Sequence, residues 1–293
     1  MVNTSLNFKY YKMKSLLFLL SVTTIGTVTT WAQRSDLNGD GVINSADVVY
    51  LYNDIATGIK DEQFTVKGVT FKMIAVEGGT FQMGATSEQG SDANKYEKPV
   101  HKVTLSSYHI GQTEVTQALW KAVMGYNYSK FKGDNLPVES VSWHECQIFI
   151  QKLNAITGKH FRLSTEAEWE YACRGGNKKR GLKYSGSSTL DGVAWYSGNS
   201  SRKTHPVATK QPNELGIYDM SGNVAEWCQD NWGDYRSEEQ TNPTFSTSIQ
   251  WGLMVIRGGN YYERASYCRS SCRLSAGPLA QNNVIGMRLA LTM

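Results

Sequence analysis

The chain has 293 residues, with 30 Lys and Arg against 26 Asp and Glu for a formal charge of +4, and three of those lysines fall in the first 32 residues, which hold no acid. The remainder is therefore close to neutral and carries no basic footprint for nucleic acid, and past the leader there is no run of about 18 apolar residues to span a membrane. Apolar types make up 40% of the chain, alongside 27 Gly and 8 Trp, which points to one sizeable core in a loop-rich fold organised around aromatics.

Residues 1–32 read as a secretory signal peptide: Lys9, Lys12 and Lys14 precede an apolar run from Leu16 to Ile25 and a Thr30-Trp31-Ala32 exit, with Met13 as an alternative start. Because no cysteine follows Ala32, a lipid anchor is not expected. The expected location is outside the cytoplasm, whether secreted, periplasmic or on the cell surface. There, Cys146, Cys173, Cys228, Cys268 and Cys272 could form up to two disulfides and leave at least one thiol over.

Residues 33–58 form a second unit. Its segment 36–47, DLNGDGVINSAD, matches the twelve-residue calcium loop, with Asp36, Asn38 and Asp40 at positions 1, 3 and 5, the Val42 carbonyl at 7, Asn44 at 9 and Asp47 at 12. Ca²⁺ is a hard cation that takes six to eight oxygens, so carboxylates and amides alternate and Gly41 makes the sharp turn. A helix from Ala46 to Ala56 follows and ends at Gly58. Its Val49, Tyr50 and Ile55 exceed what a lone unit can bury, so it must pack on the main domain, pair with a copy or bind a partner. With Asp47 in place of Glu, the segment resembles one half of a dockerin.

Residues 59–67 are polar enough to read as a linker, and the main domain is expected over 68–293. Short strands are predicted at Phe71–Val76, Thr80–Met83 and His101–Leu105. Thr116 caps a predicted helix with Leu119/Val123 and Trp120/Met124 pairs, ending at Gly125. A second follows Ser142, with Cys146, Phe149, Ile150 and Leu153 on one apolar stripe before Gly158. A third opens with the capping box Thr165-x-x-Glu168 and turns Trp169, Ala172 and Cys173 inward before Gly175. After residue 176 periodicity fades into Gly, Ser, Asn and Tyr, a composition that inside a compact domain usually carries a site.

His101, His109, His144, His160 and His205 are scattered, with neither HExxH nor a GxSxG elbow, so a zinc or serine hydrolase is not supported. Glu166, Glu168 and Glu170 sit in the first turns of a helix, where capping and core hydrogen bonding suit them better than catalysis.

Four segments together, FRLSTEAEWEYACRGG at 161–176, GNVAEW at 222–227, RGGNYYERASYC at 257–268 and GMRLAL at 286–291, resemble the formylglycine-generating enzyme family, the sulfatase-modifying-factor domain. The resemblance implies an α+β fold, a variant of the C-type lectin fold with little regular structure. It also implies an oxidoreductase that converts a sulfatase cysteine through a copper-binding cysteine pair five residues apart, after an RGGS element. Here the second cysteine falls on Cys268 but the first falls on Glu263, and the serine falls on Asn260. A single thiolate cannot give soft Cu(I) two sulfurs, and a carboxylate is a hard ligand, so copper is not expected and no catalytic residue is assigned.

The same resemblance implies a structural calcium held by Asp219, the carbonyls of Gly222 and Val224, and Glu226, unless an arginine neutralises Glu226. A further family calcium site would use Asn199, but the following SSRKTHPV lacks its acidic ligand. One family disulfide would join Cys173 to Cys268 or Cys272, and another falls on Ile150 and Leu289, where core packing would replace it.

These readings favour a non-catalytic domain that binds an unidentified protein or glycan through residues 259–286. Between the framework residues Arg257, Gly258, Gly259, Arg269, Arg273, Gly286 and Arg288 lie Asn260, Tyr261, Tyr262, Glu263, Tyr267 and Ser270, a paratope-like mixture. That arrangement resembles the variable segments of retroelement-diversified proteins on the same fold. The alternatives are a residual formylglycine-generating oxidoreductase and a dockerin-like component of a surface complex.

Overall fold

The computed structural model describes residues 59–246 and 252–293. The signal-like leader and the calcium loop of Asp36, Asn38, Asp40, Val42, Asn44 and Asp47 lie outside the described residues. None of the described helices is long and apolar enough to cross a membrane.

The described unit begins at Ile59, not at 68, which corrects the reading of 59–67 as a linker. Strand β1 (Glu62–Val66) pairs antiparallel with β2 (Val69–Val76). Lys67 at φ 46 and Gly68 at φ 82 form the two-residue turn between them, the left-handed pair that matches strand twist. Phe64 stacks on Phe71 at 5.5 Å and meets Phe161 edge-on at 5.1 Å. The segment looks polar because its other face is solvated, while Phe64 and Val66 alternate onto the core.

Ten further strands complete three sheets: β3 (Gly79–Met83), β4 (His101–Leu105), β5 (Tyr108–Gly111), β6 (Phe161–Leu163), β7 (Ala225–Asn231), β8 (Gln240–Thr241), β9 (Met254–Arg257), β10 (Arg273–Ala276), β11 (Ile285–Met287) and β12 (Leu289–Leu291). The sheet orders are β1-β2-β5-β12-β6, β10-β9-β7-β11 and β3-β4-β8. The last described strand thus sits between β5 and β6, which commits the C-terminus to an interior position of the first sheet.

Helices α1 (Gln117–Met124), α2 (Trp143–Thr157) and α3 (Glu166–Cys173) start as their sequences predict. The Thr116, Ser142 and Thr165 side chains accept from the backbone N–H of Leu119, Glu145 and Glu168, and the last two are complete capping boxes. Gly125 and Gly158 end the first two in the left-handed region. Trp120 and Phe149 stack in parallel at 5.0 Å where α1 meets α2. Ile150 and Leu289 are buried in the same cluster, which is core packing where the family has a bridge.

Four arginines then tie the C-terminal third to earlier elements through buried ion pairs. Arg257 pairs with Glu170 and Arg273 with Glu166, both on α3; Arg269 pairs with Glu97, and Arg288 with Glu226. A buried charge is tolerated only when it is paired and hydrogen-bonded. These pairs therefore fix where the irregular segments 258–272 and 218–224 can sit.

Candidate functional site

The segment between β9 and β10 leaves the sheet at Gly258 and Gly259, both in the left-handed region at φ 96 and 67. A Cβ on Gly259 would stand 2.9 Å from Cys268 Sγ and 2.8 Å from the Tyr267 carbonyl oxygen, so only glycine lets the backbone lie on that sulfur. Cys268 is fully buried and packs with Tyr184, Leu190, Val193 and Ala194. Burial, then the neighbouring Cys272 and Glu263, push its thiol far above the ordinary range. The thiolate is the nucleophile and the metal ligand, and this environment opposes its formation.

Copper therefore does not fit. The position of the family's first cysteine holds the carboxylate-bearing Glu263, and the remaining sulfur is buried beneath Gly259. Nor is Cys268 a disulfide staple: all five cysteines are free and buried, which corrects the expected pairing of Cys173 with Cys268 or Cys272. The Cys173 thiol instead faces the Met220 carbonyl at 3.8 Å, and burial raises both Cys173 and Cys272 to about 11.

The candidate ligand-binding residues separate into two groups. Tyr262 is 55% exposed, and Glu263 and Tyr267 are half-buried. Asn260, Tyr261 and Ser270 are buried, which corrects their assignment to an exposed face. Asn260 Oδ1 accepts from the Tyr262 amide at 2.9 Å, an Asx turn. Tyr261 donates its amide to Asn223 O at 2.8 Å and sets its ring edge-on to Phe131 at 5.6 Å. The Ser270 amide donates to the Lys183 carbonyl at 3.1 Å. Small polar residues satisfied by backbone groups are as much at home inside as outside, so their composition could not reveal the difference.

The expected calcium cradle is also altered. Arg288 donates through Nε to both Glu226 oxygens at 3.0 and 2.9 Å and through a terminal nitrogen at 2.7 Å, while Trp169 Nε1 donates at 2.7 Å. With its carboxylate so engaged by a cation, Glu226 does not fit a calcium ligand. The arrangement matches the alternative in which an arginine neutralises it. Asp219, at φ 58, accepts from the Ala208 amide at 2.8 Å through one oxygen, and its other oxygen is buried without a partner. Asn199 closes its own loop, accepting from the Tyr196 amide and donating to the Ala194 carbonyl, each at 3.0 Å. Among the described residues no group of three or more His, Cys, Asp or Glu is placed to hold a metal.

Glu114 was not singled out from the sequence. It clamps the GNV turn, accepting from the Val224 amide at 2.9 Å and the Asn223 side chain at 2.7 Å. Burial foremost, then Asp219 and Glu226, hold its carboxyl well above the usual range. The loop at 197–205 fastens onto the candidate segment, a contact that its sequence does not announce: Ser200 Oγ donates to the Tyr261 carbonyl at 2.6 Å, and the Ser197 amide to the Glu263 carbonyl at 3.0 Å. A cleft of about 520 Å³ opens between His101, Asp230, Tyr235, Phe245 and Arg273, and residues 258–272 take no part in its lining.

A mixed α+β architecture with three short sheets, few helices and long irregular segments held by buried arginines defines the formylglycine-generating-enzyme variant of the C-type lectin fold. The chain belongs to the sulfatase-modifying factor enzyme 1-like domain family, matched over residues 61–293. It is 37% identical to the chaperone protein LppX of Paenibacillus barcinonensis, over 55% of this chain and 71% of that protein. It is 29% identical to the formylglycine-generating enzyme of Streptomyces coelicolor, over 74% of this chain and 88% of the enzyme. Among solved structures, Treponema denticola variable protein 1 superposes with a TM-score of 0.72 at 33% identity, covering 79% of this chain and 98% of that one. PvdO from Pseudomonas aeruginosa gives 0.67 at 25% identity, with the same coverage.

Proposed function

We propose that this is an exported, non-catalytic member of the family that binds a partner through the surface around Tyr262, Glu263 and Tyr267. The observation that carries this reading is the burial of Cys268 beneath Gly259, with Glu263 at the position of the family's first cysteine, which leaves no accessible thiol pair to bind copper and activate oxygen. Likeness to a protein named as variable and to one named as a chaperone supports a family scaffold used for recognition. In this reading the N-terminal segment at 36–47 binds calcium, and its helix docks the chain to a surface complex.

The test has two parts. Purified protein supplied with copper and a sulfatase-type cysteine peptide should yield no formylglycine by mass spectrometry, and conversion would overturn the reading. Tyr262→Ala should lose the partner captured by wild type while folding normally, and undiminished capture would move the recognition surface elsewhere.

A further inference from the structure

The turn that follows Ser200 holds two successive non-glycine residues at positive φ, Ser201 at 55 and Arg202 at 57. That is the φ pattern of a turn ordinarily built from Asn-Gly. Backbone strain of this kind is retained where the surroundings over-determine it, most often at binding surfaces. The restraint here is explicit. Ser200 Oγ donates to the Tyr261 carbonyl at 2.6 Å and accepts from the Arg202 amide at 3.1 Å, and His205 Nε2 lies 2.8 Å from the Ser200 carbonyl. The His205 ring in turn stacks on Trp195 at 3.7 Å.

The strained turn sets the exposed Arg202 guanidinium 5.3 Å from the centre of the exposed Tyr262 ring. Arg264 lies 5.9 Å from the Tyr267 ring. Lys130 lies 5.6 Å from Phe131, whose ring abuts Tyr261. Arg202 thus reaches the segment 261–267 from a neighbouring loop, Arg264 belongs to the segment itself, and Lys130 stands one ring further away, over Phe131.

We infer that this surface takes a short acidic segment of a partner protein, its carboxylates received by Arg202 and Arg264 and its backbone laid against Tyr262; the inference rests on the reading of this surface as the recognition site. A guanidinium held over a ring retains its N–H edge for two parallel bonds to a carboxylate. Glu263 is the immediate neighbour of Tyr262 and Arg264 in sequence and is half-buried. Its charge disfavours a continuous polyanion but accommodates carboxylates spaced along a peptide, which separates this partner from nucleic acid or polyphosphate.

The experiment is fluorescence anisotropy of the full chain with fluorescein-labelled Gly-Ser octapeptides, with and without interspersed glutamates, and with labelled polyphosphate as a second arm. Glutamate-bearing peptides should bind selectively, with affinity falling by about tenfold as salt is raised from about 50 to about 300 mM. Arg202→Gly should weaken that binding by about tenfold while melting no lower than wild type, since glycine removes the penalty of the positive φ. Equal binding of the glutamate-free peptide, no binding of any peptide, tighter binding of polyphosphate, or an unaffected Arg202→Gly would each overturn the inference. If Tyr262→Ala loses the captured partner while Arg202→Gly keeps it, the acidic class fails and the recognition surface stands. If both variants keep it, both readings fail.

Discussion

Arg288 and Glu226 join the C-terminal end of the chain to the GNVAEW turn: the guanidinium engages both carboxylate oxygens and also donates to the carbonyls of Gly111 and Tyr218, each at 2.8 Å. Arg288 also faces two further buried acids, Glu114, which accepts from Asn223 and Val224, and Asp219, which accepts from Ala208. One cation therefore offsets several acidic groups in a region closed to water.

Arg288→Met should accordingly destabilise the domain by about 3–5 kcal/mol, the cost of leaving a buried charge without its partner. Chemical denaturation gives the value. A loss below about 1 kcal/mol would show that Glu226 finds another partner or takes up a proton. Because Glu226 is already engaged, chelator should leave the melting of the 59–293 unit unchanged, and a chelator-sensitive melt abolished by Glu226→Gln would restore the calcium assignment.

The same cluster gives a direction to the pH dependence. Burial raises Asp219 to about 6 and Asp230 to about 7, and lifts Glu114 well above its ordinary value. A carboxyl whose folded pKa lies above its unfolded one binds a proton more readily in the native state, so stability rises as pH falls through the folded pKa. Glu97 is opposite: burial raises it, but Arg269 and Ser271 outweigh that and hold it low. Its contribution is lost as pH falls through its lowered folded pKa. Melting temperature should therefore increase from pH 8 to pH 5 and decline in stronger acid. Asp219→Asn should flatten the upper limb, and a monotonic rise toward pH 8 in wild type would refute the argument.

The local features were legible in the sequence and the long-range ones were not. Thr116, Ser142 and Thr165 announce their helices because a cap and its partner lie within one turn. Glu97 and Arg269 are 172 residues apart and Glu226 and Arg288 are 62 apart, and neither spacing leaves a periodic trace. Strand β1 was hidden by its polar face. The segment 259–272 reads as uniformly polar and aromatic, yet Asn260 and Ser270 turn inward because backbone groups of Tyr262 and Lys183 satisfy them. Ser201 and Arg202 carry no compositional sign of a left-handed turn, since neither is the glycine or asparagine that usually marks one.

Cysteine chemistry provides a further check. With all five thiols buried and free, iodoacetamide should leave the native protein almost unlabelled and modify all five cysteines after denaturation without reductant. Burial sets the rate here, because the reactive thiolate is suppressed where desolvation raises the pKa. Mass spectrometry showing a pair protected after denaturation and released by reductant would establish the disulfide between Cys173 and Cys268 or Cys272. Gly259→Ala should cost about 1–3 kcal/mol through its positive φ, with the contact to Cys268 Sγ adding to the loss.

The adjacent tyrosines Tyr261 and Tyr262 offer the sharpest separation of scaffold from surface. Tyr261 is 2% exposed and Tyr262 is 55% exposed, although their sequence surroundings are nearly the same. Tyr261→Ala removes a ring packed on Phe131 and leaves a cavity, so it should cost about 3–5 kcal/mol, as buried aromatics do. Tyr262→Ala removes an exposed ring that meets Arg202 and, edge-on at 6.5 Å, Tyr261, and should change stability by about 0.5 kcal/mol or less. Partner binding should follow the opposite order once both variants are compared below their melting temperatures: Tyr262→Ala abolishes it and folded Tyr261→Phe retains it. Equal destabilisation by the two alanine variants would place Tyr262 in the core and remove the ring on which the recognition surface depends.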